Sequence, residues 1–443
     1  MLNLQAITNL MEDLEPARTY GKVSKVVGLI AEGQGIKAPL GSVCHLLPDD
    51  SGSTPIAAEV VGFRDGACLF MPYGDMRGIS PGSLIQNSSS PPLIPVGQRY
   101  LGRTIDAFGN PIDKKGPIVP RRYYPIFADA PSPLDRPRIN APLDVGVRAI
   151  NGFLTLGKGQ RVGIMAGSGV GKSTLMGMIA RNTTADINVI ALIGERGREV
   201  LEFMEKDLGP EGLARSVLVV ATSDQSPLIR IRAAYAATAV AEFYRDQGAD
   251  VILMMDSVTR FAMAGREVGL AAGEPPTTRG YTPSVFAQLP KLLERAGKTE
   301  SGSITGIYTV LVDGDDFNEP IADSTRSILD GHIVLTRDLA DQGHYPAIDV
   351  LRSVSRLRSD VTPENVVKAG RNLVKHLATF KRVEDMVNIG AYVRGNNPDI
   401  DIALDMHGPI TTFLQQSVDE RQTMEETFQG LLDLDQNQSQ QQQ

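Results

Sequence analysis

At 443 residues the chain exceeds what one hydrophobic core organises, and it calls for two or three domains with a large central one. A composition of 42% hydrophobic and 22% charged residues excludes a fibrous or wholly disordered chain. The net charge of -8, with Lys and Arg scattered rather than gathered, leaves no electrostatic footprint for nucleic acid, and no run reaches the ~18 apolar residues of a membrane span. Cys44 and Cys68 have no His or Cys at metal spacing and read as two small buried hydrophobes.

In chain order, residues 1–18 open with Leu4, Ile7, Met11 and Leu14 at helical spacing, which predicts a short amphipathic helix with an acidic end. Such an end is unlike a charged leader before an apolar stretch, so a cytoplasmic location is expected. Residues 19–95 carry short apolar runs such as KVVGLI, AAEVVGF and ACLFMP, separated by Gly, Asp and Pro, the pattern of a small N-terminal β-barrel. It ends in the Ser- and Pro-rich linker Ser88 to Gly97.

Residues 96–360 change register. Continuous apolar runs alternate with helical segments, the signature of a parallel sheet covered on both faces and hence of an α/β domain. The strands are RVGIMA (Arg161 to Ala166), NVIALIG (Asn188 to Gly194), SVLVVAT (Ser216 to Thr222), DVILMMD (Asp250 to Asp256), ITGIYTVLV (Ile304 to Val312) and HIVL (His332 to Leu335). Residues 361–435 have helical spacing throughout and form a C-terminal helical domain, and 436–443 are a polar tail predicted to be disordered.

The first of these strands runs into AGSGVGKS, followed by the helical TLMGMIARN. Strand, glycine-rich loop and helix in that order form a phosphate cradle. Gly167, Gly169 and Gly171 free the backbone of Cβ atoms, so that the N–H groups of the loop through Ser168 and Val170 can curl around phosphate oxygens. Lys172 brings a point charge to the outer phosphates, the Ser173 hydroxyl can ligate Mg²⁺, and Thr174 continues the helix N-terminus. The strict pattern opens on Gly, whereas here Ala166 takes that place as the last strand residue.

Two carboxylates leave the sheet at the same edge. Asp256 ends DVILMMD and can hold Mg²⁺ through water opposite Ser173, although a hydrophobic strand ending in Asp is common. Glu195, in GERGREV, can orient water for attack on a γ-phosphate, and Arg196 beside it can steady that carboxylate or the phosphate. The alternative for Glu195 is a solvated helix start, where acidic residues suit the macrodipole.

Taken together, AGSGVGKS, GERGREV, VILMMDSVTRFA, GHYPAID and SVSR resemble, in order and spacing, the catalytic subunits of the rotary ATPase superfamily, whose central domain is RecA-like. The resemblance covers about Gly21 to Leu434, including GRTIDAFGNPID (Gly102 to Asp113) and DVGVRAIN (Asp144 to Asn151). It implies an ATP hydrolase with Lys172 as the phosphate lysine, Ser173 on Mg²⁺, Glu195 as the catalytic carboxylate and Arg196 as its neighbour. Tyr345 in GHYPAID resembles the aromatic residue against adenine. Arg356 in SVSR resembles the arginine finger that enters the neighbouring subunit's site, so a homo-hexameric ring is implied.

Within the superfamily, Gly273 to Gly297 and Asp313 to Leu335 are similar to type III protein-export ATPases, and EPIADS with GHYPAID and IGAYVRG looks more flagellar than injectisome-like. The acidic loop of rotary synthase catalytic subunits is replaced by IGAYVRGNNPDIDIAL (Ile389 to Leu404), which argues against a proton-translocating synthase. A ring-shaped RNA translocase would need base-stacking aromatics in a basic barrel groove, and a purely structural ring member would not need Lys172 and Glu195. The flagellar resemblance implies a regulator dimer bound through Leu4, Ile7 and Met11, with docking of that segment on the protein's own barrel as the alternative. It further implies a stalk-like coiled-coil protein against the Gly273 to Tyr281 loop, and export chaperones and substrates. An export gate would bring the ring to the inner-membrane base of the flagellar export apparatus as a peripheral assembly.

Overall fold

The computed structural model describes residues 19–49, 54–88, 91–312 and 316–441. The helix expected over residues 1–18, with its anchors Leu4, Ile7 and Met11, lies outside the described residues. The chain divides into two compact units. One comprises the residues through Pro92 with Gln225–Ile229 and Ala264–Pro283, and the other comprises Leu93–Asp224, Arg230–Met263 and Ser284–Gln443.

The first unit is built on six antiparallel strands, β1 (Tyr20–Val27), β2 (Ile30–Gln34), β3 (Val43–Leu47), β4 (Ile56–Arg64), β5 (Ala67–Pro72) and β6 (Leu84–Asn87), closed in the order β1-β2-β5-β4-β3-β6. Alternation drives closure: every second residue of β3 is buried, and Val23, Ala31, Leu46, Val60, Phe70 and Ile85 fill the interior. Cys44 and Cys68 are buried free thiols of this core, and burial pushes the Cys44 thiol up to about 11. They pack as small apolar side chains, as the sequence suggests.

The second unit begins with β7 (Leu93–Val96), β8 (Arg103–Ile105), β9 (Arg122–Pro125), β10 (Pro142–Leu143) and β11 (Leu156–Gly157). Its main strands are β12 (Arg161–Ala166), β13 (Ile187–Ile193), β14 (Ser216–Ala221), β15 (Asp250–Asp256), β16 (Gly297–Lys298), β17 (Ser303–Leu311), β18 (Gly331–Leu335) and β19 (Val354–Ser355). They form one sheet in the order β19-β18-β12-β17-β15-β13-β14-β8, with β16 alongside β17. The pairs from β18 to β8 are parallel, and only β16 and β19 run antiparallel to their neighbours. All seven residues of β13 are buried, as a sheet covered on both faces requires.

The six strands read from sequence stand within a residue of their expected ends. GRTIDAFGNPID does more than connect. Its β8 is the sheet's edge strand, and the turn after it is held by Asp106, whose Oδ1 accepts from the N–H groups of Phe108 (2.8 Å) and Asn110 (2.9 Å). Arg103 locks the strand from below through Asp113 (2.6 and 2.8 Å), and that guanidinium draws the Asp113 carboxyl down to about 2.

Helices Glu364–Asn388, Pro398–Leu414 and Met424–Gln441 form the C-terminal region. Their apolar residues Val366, Leu373, Met406, Ile410 and Leu431 belong to the same core as Ile150, Phe153, Leu175 and Ile179. Arg148 ties the regions through its Nε to the Phe413 carbonyl (2.9 Å), its Nη1 to Gln422 Oε1 (2.7 Å), and an ion pair with Glu420. The last helix runs to Gln441, so part of the tail expected to be disordered over 436–443 is helical. Extending an existing helix needs no new nucleus, which lets Gln-rich residues follow Leu431 and Leu434.

Candidate active site

Register decides what meets at the C-terminal edge of the sheet. Ala166 at the end of β12 lies beside Leu311 and Leu335, and Leu192 lies beside Asp256, so the loops after β12, β13 and β15 emerge together. The loop Gly167–Gly171 follows β12 and opens the helix Lys172–Asn182. Gly169 (φ 80°) and Gly171 (φ 89°) occupy the left-handed region, where an L side chain would be strained. Gly171 caps the helix without any side-chain hydrogen bond, and the first i→i−4 bond runs from the Leu175 N–H to the Gly171 carbonyl. The N–H groups of Lys172, Ser173 and Thr174 therefore remain for an anion at the positive end of the helix dipole. Val170 is buried and pins the loop to the core, whereas Ser168 and Ser173 are exposed and Thr174 is half-buried.

Lys172 turns from this helix start toward both carboxylates. Its Nζ is paired with Asp256 Oδ1 and lies 3.7 Å from Glu195 Oε1, with all three side chains largely buried. Asp256 Oδ1 also accepts from the Thr309 hydroxyl at 2.8 Å. Both contacts fall on one oxygen. One ammonium cannot balance two carboxylates in a poorly solvated place, and Glu195 absorbs the imbalance. Burial, then repulsion by Asp256, push its carboxyl up to about 7 against the opposing pull of Lys172, and it shares a hydrogen bond with Glu199, which sits lower. A carboxylate poised there suits proton transfer near neutral pH.

Arg196 reaches Glu199, Nη1 to Oε1 at 2.7 Å, from a side chain 78% exposed, so it touches Glu195 only at one remove. The Tyr345 ring lies over the phosphate loop: a Cβ built on Gly171 would stand 3.7 Å from its Cδ1 and Cε1. Tyr345 is half-exposed. Arg356 is not part of this cluster. It follows β19, its N–H donates to the Asp330 carbonyl (3.0 Å), and Asp330 stands level with Arg161 at the opposite end of β12. Six strand residues separate that level from the phosphate loop, about 20 Å at ~3.3 Å per residue, too far for an exposed arginine to reach its own Lys172.

Three residues of the site escape sequence reading. Arg337 donates from Nη2 to the Ser168 carbonyl at 2.8 Å and braces the phosphate loop from outside. Arg260 packs its Cβ against Gly194, the residue before Glu195, and its buried Nε has no hydrogen-bond partner among the described residues. Thr309, mid-strand in an apolar run, is the third. The donor set matches magnesium, a hard cation that takes one or two protein oxygens and otherwise water and substrate phosphates: the Ser173 hydroxyl and the Asp256 carboxylate are such donors.

A parallel sheet with a glycine loop, a lysine paired to two edge carboxylates and an aromatic lid over the loop defines a P-loop ATPase. Residues 146–355 match the ATP synthase alpha/beta family, nucleotide-binding domain, and residues 362–433 match the T3SS EscN ATPase C-terminal domain. The chain is 52% identical to the flagellum-specific ATP synthase of Bacillus subtilis (strain 168), covering 98% of this chain and 99% of that one. It is 50% identical to the type 3 secretion system ATPase of Xanthomonas euvesicatoria, over 94% of each chain. The solved structure of the assembled ATPase EscN from the enteropathogenic E. coli type III secretion system superposes with a TM-score of 0.89 at 45% identity, covering 94% of this chain and 100% of that one. EscN in complex with its central stalk EscO gives 0.86 at 44%, with the same coverage. The chain therefore belongs to the ATP synthase alpha/beta family, in its type III export branch, and is an ATP hydrolase. Among the described residues no helix is long and apolar enough to cross a membrane.

Proposed function

We propose that six copies of the chain form a ring that hydrolyses Mg-ATP at its seams and energises export of flagellar proteins through a type III apparatus. The observation that carries the seam is the placement of Arg356, exposed, at the sheet end opposite its own phosphate loop. Such an arginine serves a neighbour's phosphates, where it would stabilise charge on the transferring phosphoryl group. The assembled relative and its stalk complex support a ring with a central partner.

The residues divide the work. Gly167–Gly171 and the N–H groups of Lys172, Ser173 and Thr174 hold the phosphates, while Tyr345 takes the adenine. Lys172 exchanges its carboxylate partners for phosphate oxygens. Glu195, relieved of that contact, orients the attacking water and accepts its proton as the new P–O bond forms and the bond to the leaving ADP oxygen breaks. Ser173 and Asp256 would hold magnesium, Asp256 through water, and the ion supplies charge neutralisation on the phosphates. Arg196 acts through Glu199.

The loop Gly273–Tyr281, stiffened by Pro275 and Pro276 and closed by Thr277 N–H and hydroxyl on the Tyr281 carbonyl (2.6 and 2.7 Å), is the proposed stalk contact. A dimeric regulator at residues 1–18, an export gate at the inner membrane, and export chaperones and substrates complete the proposed partners in the cytoplasm. Flagellar and secretion ATPases are both near relatives, so the two are separated by deleting the gene and scoring flagella, secreted filament protein and injectisome output. Loss of the first two with the third intact is the expected result. Intact flagella with lost injectisome output would reassign the chain to virulence secretion.

A further inference from the structure

We propose that Thr309 is a positioning residue for the metal site: it holds the Asp256 carboxylate in its metal-facing orientation while Lys172 transfers from that carboxylate to the phosphates. The inference rests on the reading of Asp256 as a magnesium-holding group.

Thr309 lies on β17, whose neighbour Tyr308 is in register with Met255, so its side chain stands next to Asp256. The residue is fully buried in the run IYTVL, where Val would pack with the same shape and no polar atom to satisfy. A hydroxyl placed there needs a partner, since burying one without a hydrogen bond is unfavourable. It has a single proton and two acceptors in range, Asp256 Oδ1 at 2.8 Å and the Met255 carbonyl at 3.3 Å. The shorter, charge-assisted bond takes the proton.

Lys172 and Thr309 donate to the same oxygen. Two donors on Oδ1 hold that oxygen in place, and neither of them engages Oδ2. Lys172 is shared between Asp256 and Glu195. Once phosphates arrive, their greater charge draws the ammonium away, and Asp256 loses its strongest contact just when its second oxygen is needed. Thr309 is the donor that stays. It is anchored by the sheet, and the nucleotide does not compete for it.

The test uses full-length protein and N-methylanthraniloyl-ATP as the probe, with binding measured without magnesium and then titrated with it. Thr309→Val should leave magnesium-free binding within roughly twofold of wild type and raise the magnesium midpoint roughly tenfold, the size of one hydrogen bond to a charged group. Thr309→Ser should keep the wild-type midpoint, and turnover of Thr309→Val should recover at high magnesium. Thr309→Ala lacks the same hydroxyl, gives the same shift, and carries the test should the Val variant not fold. An unchanged midpoint in Thr309→Val beside a raised one in Asp256→Asn overturns the proposal and leaves the Asp256 reading standing. An unchanged midpoint in Asp256→Asn removes that reading and the proposal with it. Equal shifts in Thr309→Val and Thr309→Ser would assign the effect to packing and also overturn it.

Discussion

Glu195→Gln separates catalysis from stability in a way that depends on pH. The Glu195 carboxyl is pushed up to about 7 from an ordinary 4.5, by burial first and by Asp256 second, with Lys172 opposing and Glu199 sharing its proton. The folded protein therefore binds this proton more tightly than the unfolded chain does. Between pH 4.5 and 7 the wild type loses about 1.4 kcal/mol of stability for each pH unit crossed, because the native site resists the charge that the unfolded chain accepts freely. The penalty is absent below pH 4.5 and complete above 7, where it amounts to about 3 kcal/mol for this one group. Gln keeps the shape, offers an N–H to Glu199 and never ionises. Thermal unfolding of nucleotide-free, magnesium-free protein should show the variant equal to wild type at pH 4.5 to 5. At pH 8 it should be more stable by several °C, taking about 2 °C per kcal/mol for a domain of this size, while ATP turnover is lost. A gain equal at both pH values, or a loss at pH 8, would refute the electrostatic account of Glu195.

Arg295 is fully buried, paired with Glu242 (Nε to Oε1, 2.8 Å) and bound to the Ile126 carbonyl (2.6 Å). Arg295→Met should lower stability by about 3–5 kcal/mol in urea unfolding by stranding Glu242, and adding Glu242→Leu should restore most of the loss. Replacing Glu274 and Arg279 by Ala in the Gly273–Tyr281 loop should abolish stimulation of ATPase activity by the stalk protein without changing basal turnover. Undiminished stimulation would remove that loop as the contact.

The parts legible in sequence are those set by local pattern. β12 to β15, β17 and β18 are continuous apolar runs bounded by polar residues, and their burial on both faces leaves little other solution. The phosphate loop is equally local, a few residues with fixed backbone demands. What the sequence hides is what depends on distant partners. Two-residue strands such as β16 and β19 carry no periodicity, and they exist because β17 and β18 offer them edges. Arg337 meets Ser168 across 169 residues of chain and Thr309 meets Asp256 across 53, and nothing near either residue marks the contact. The C-terminal helices show in sequence by their helical spacing, but that spacing does not say that their apolar residues also complete the core under the phosphate-loop helix.

The shared seam is tested most directly by mixing protomers. Lys172→Ala removes one side of a site and Arg356→Ala the other, so each variant alone should have lost turnover. In a ring drawn from an equal mixture, roughly a quarter of the seams join an intact phosphate loop to an intact arginine. Recovery of about that fraction of wild-type turnover, in rings shown to contain both variants, is the predicted result. Co-assembled rings with no turnover would contradict a site built from two subunits.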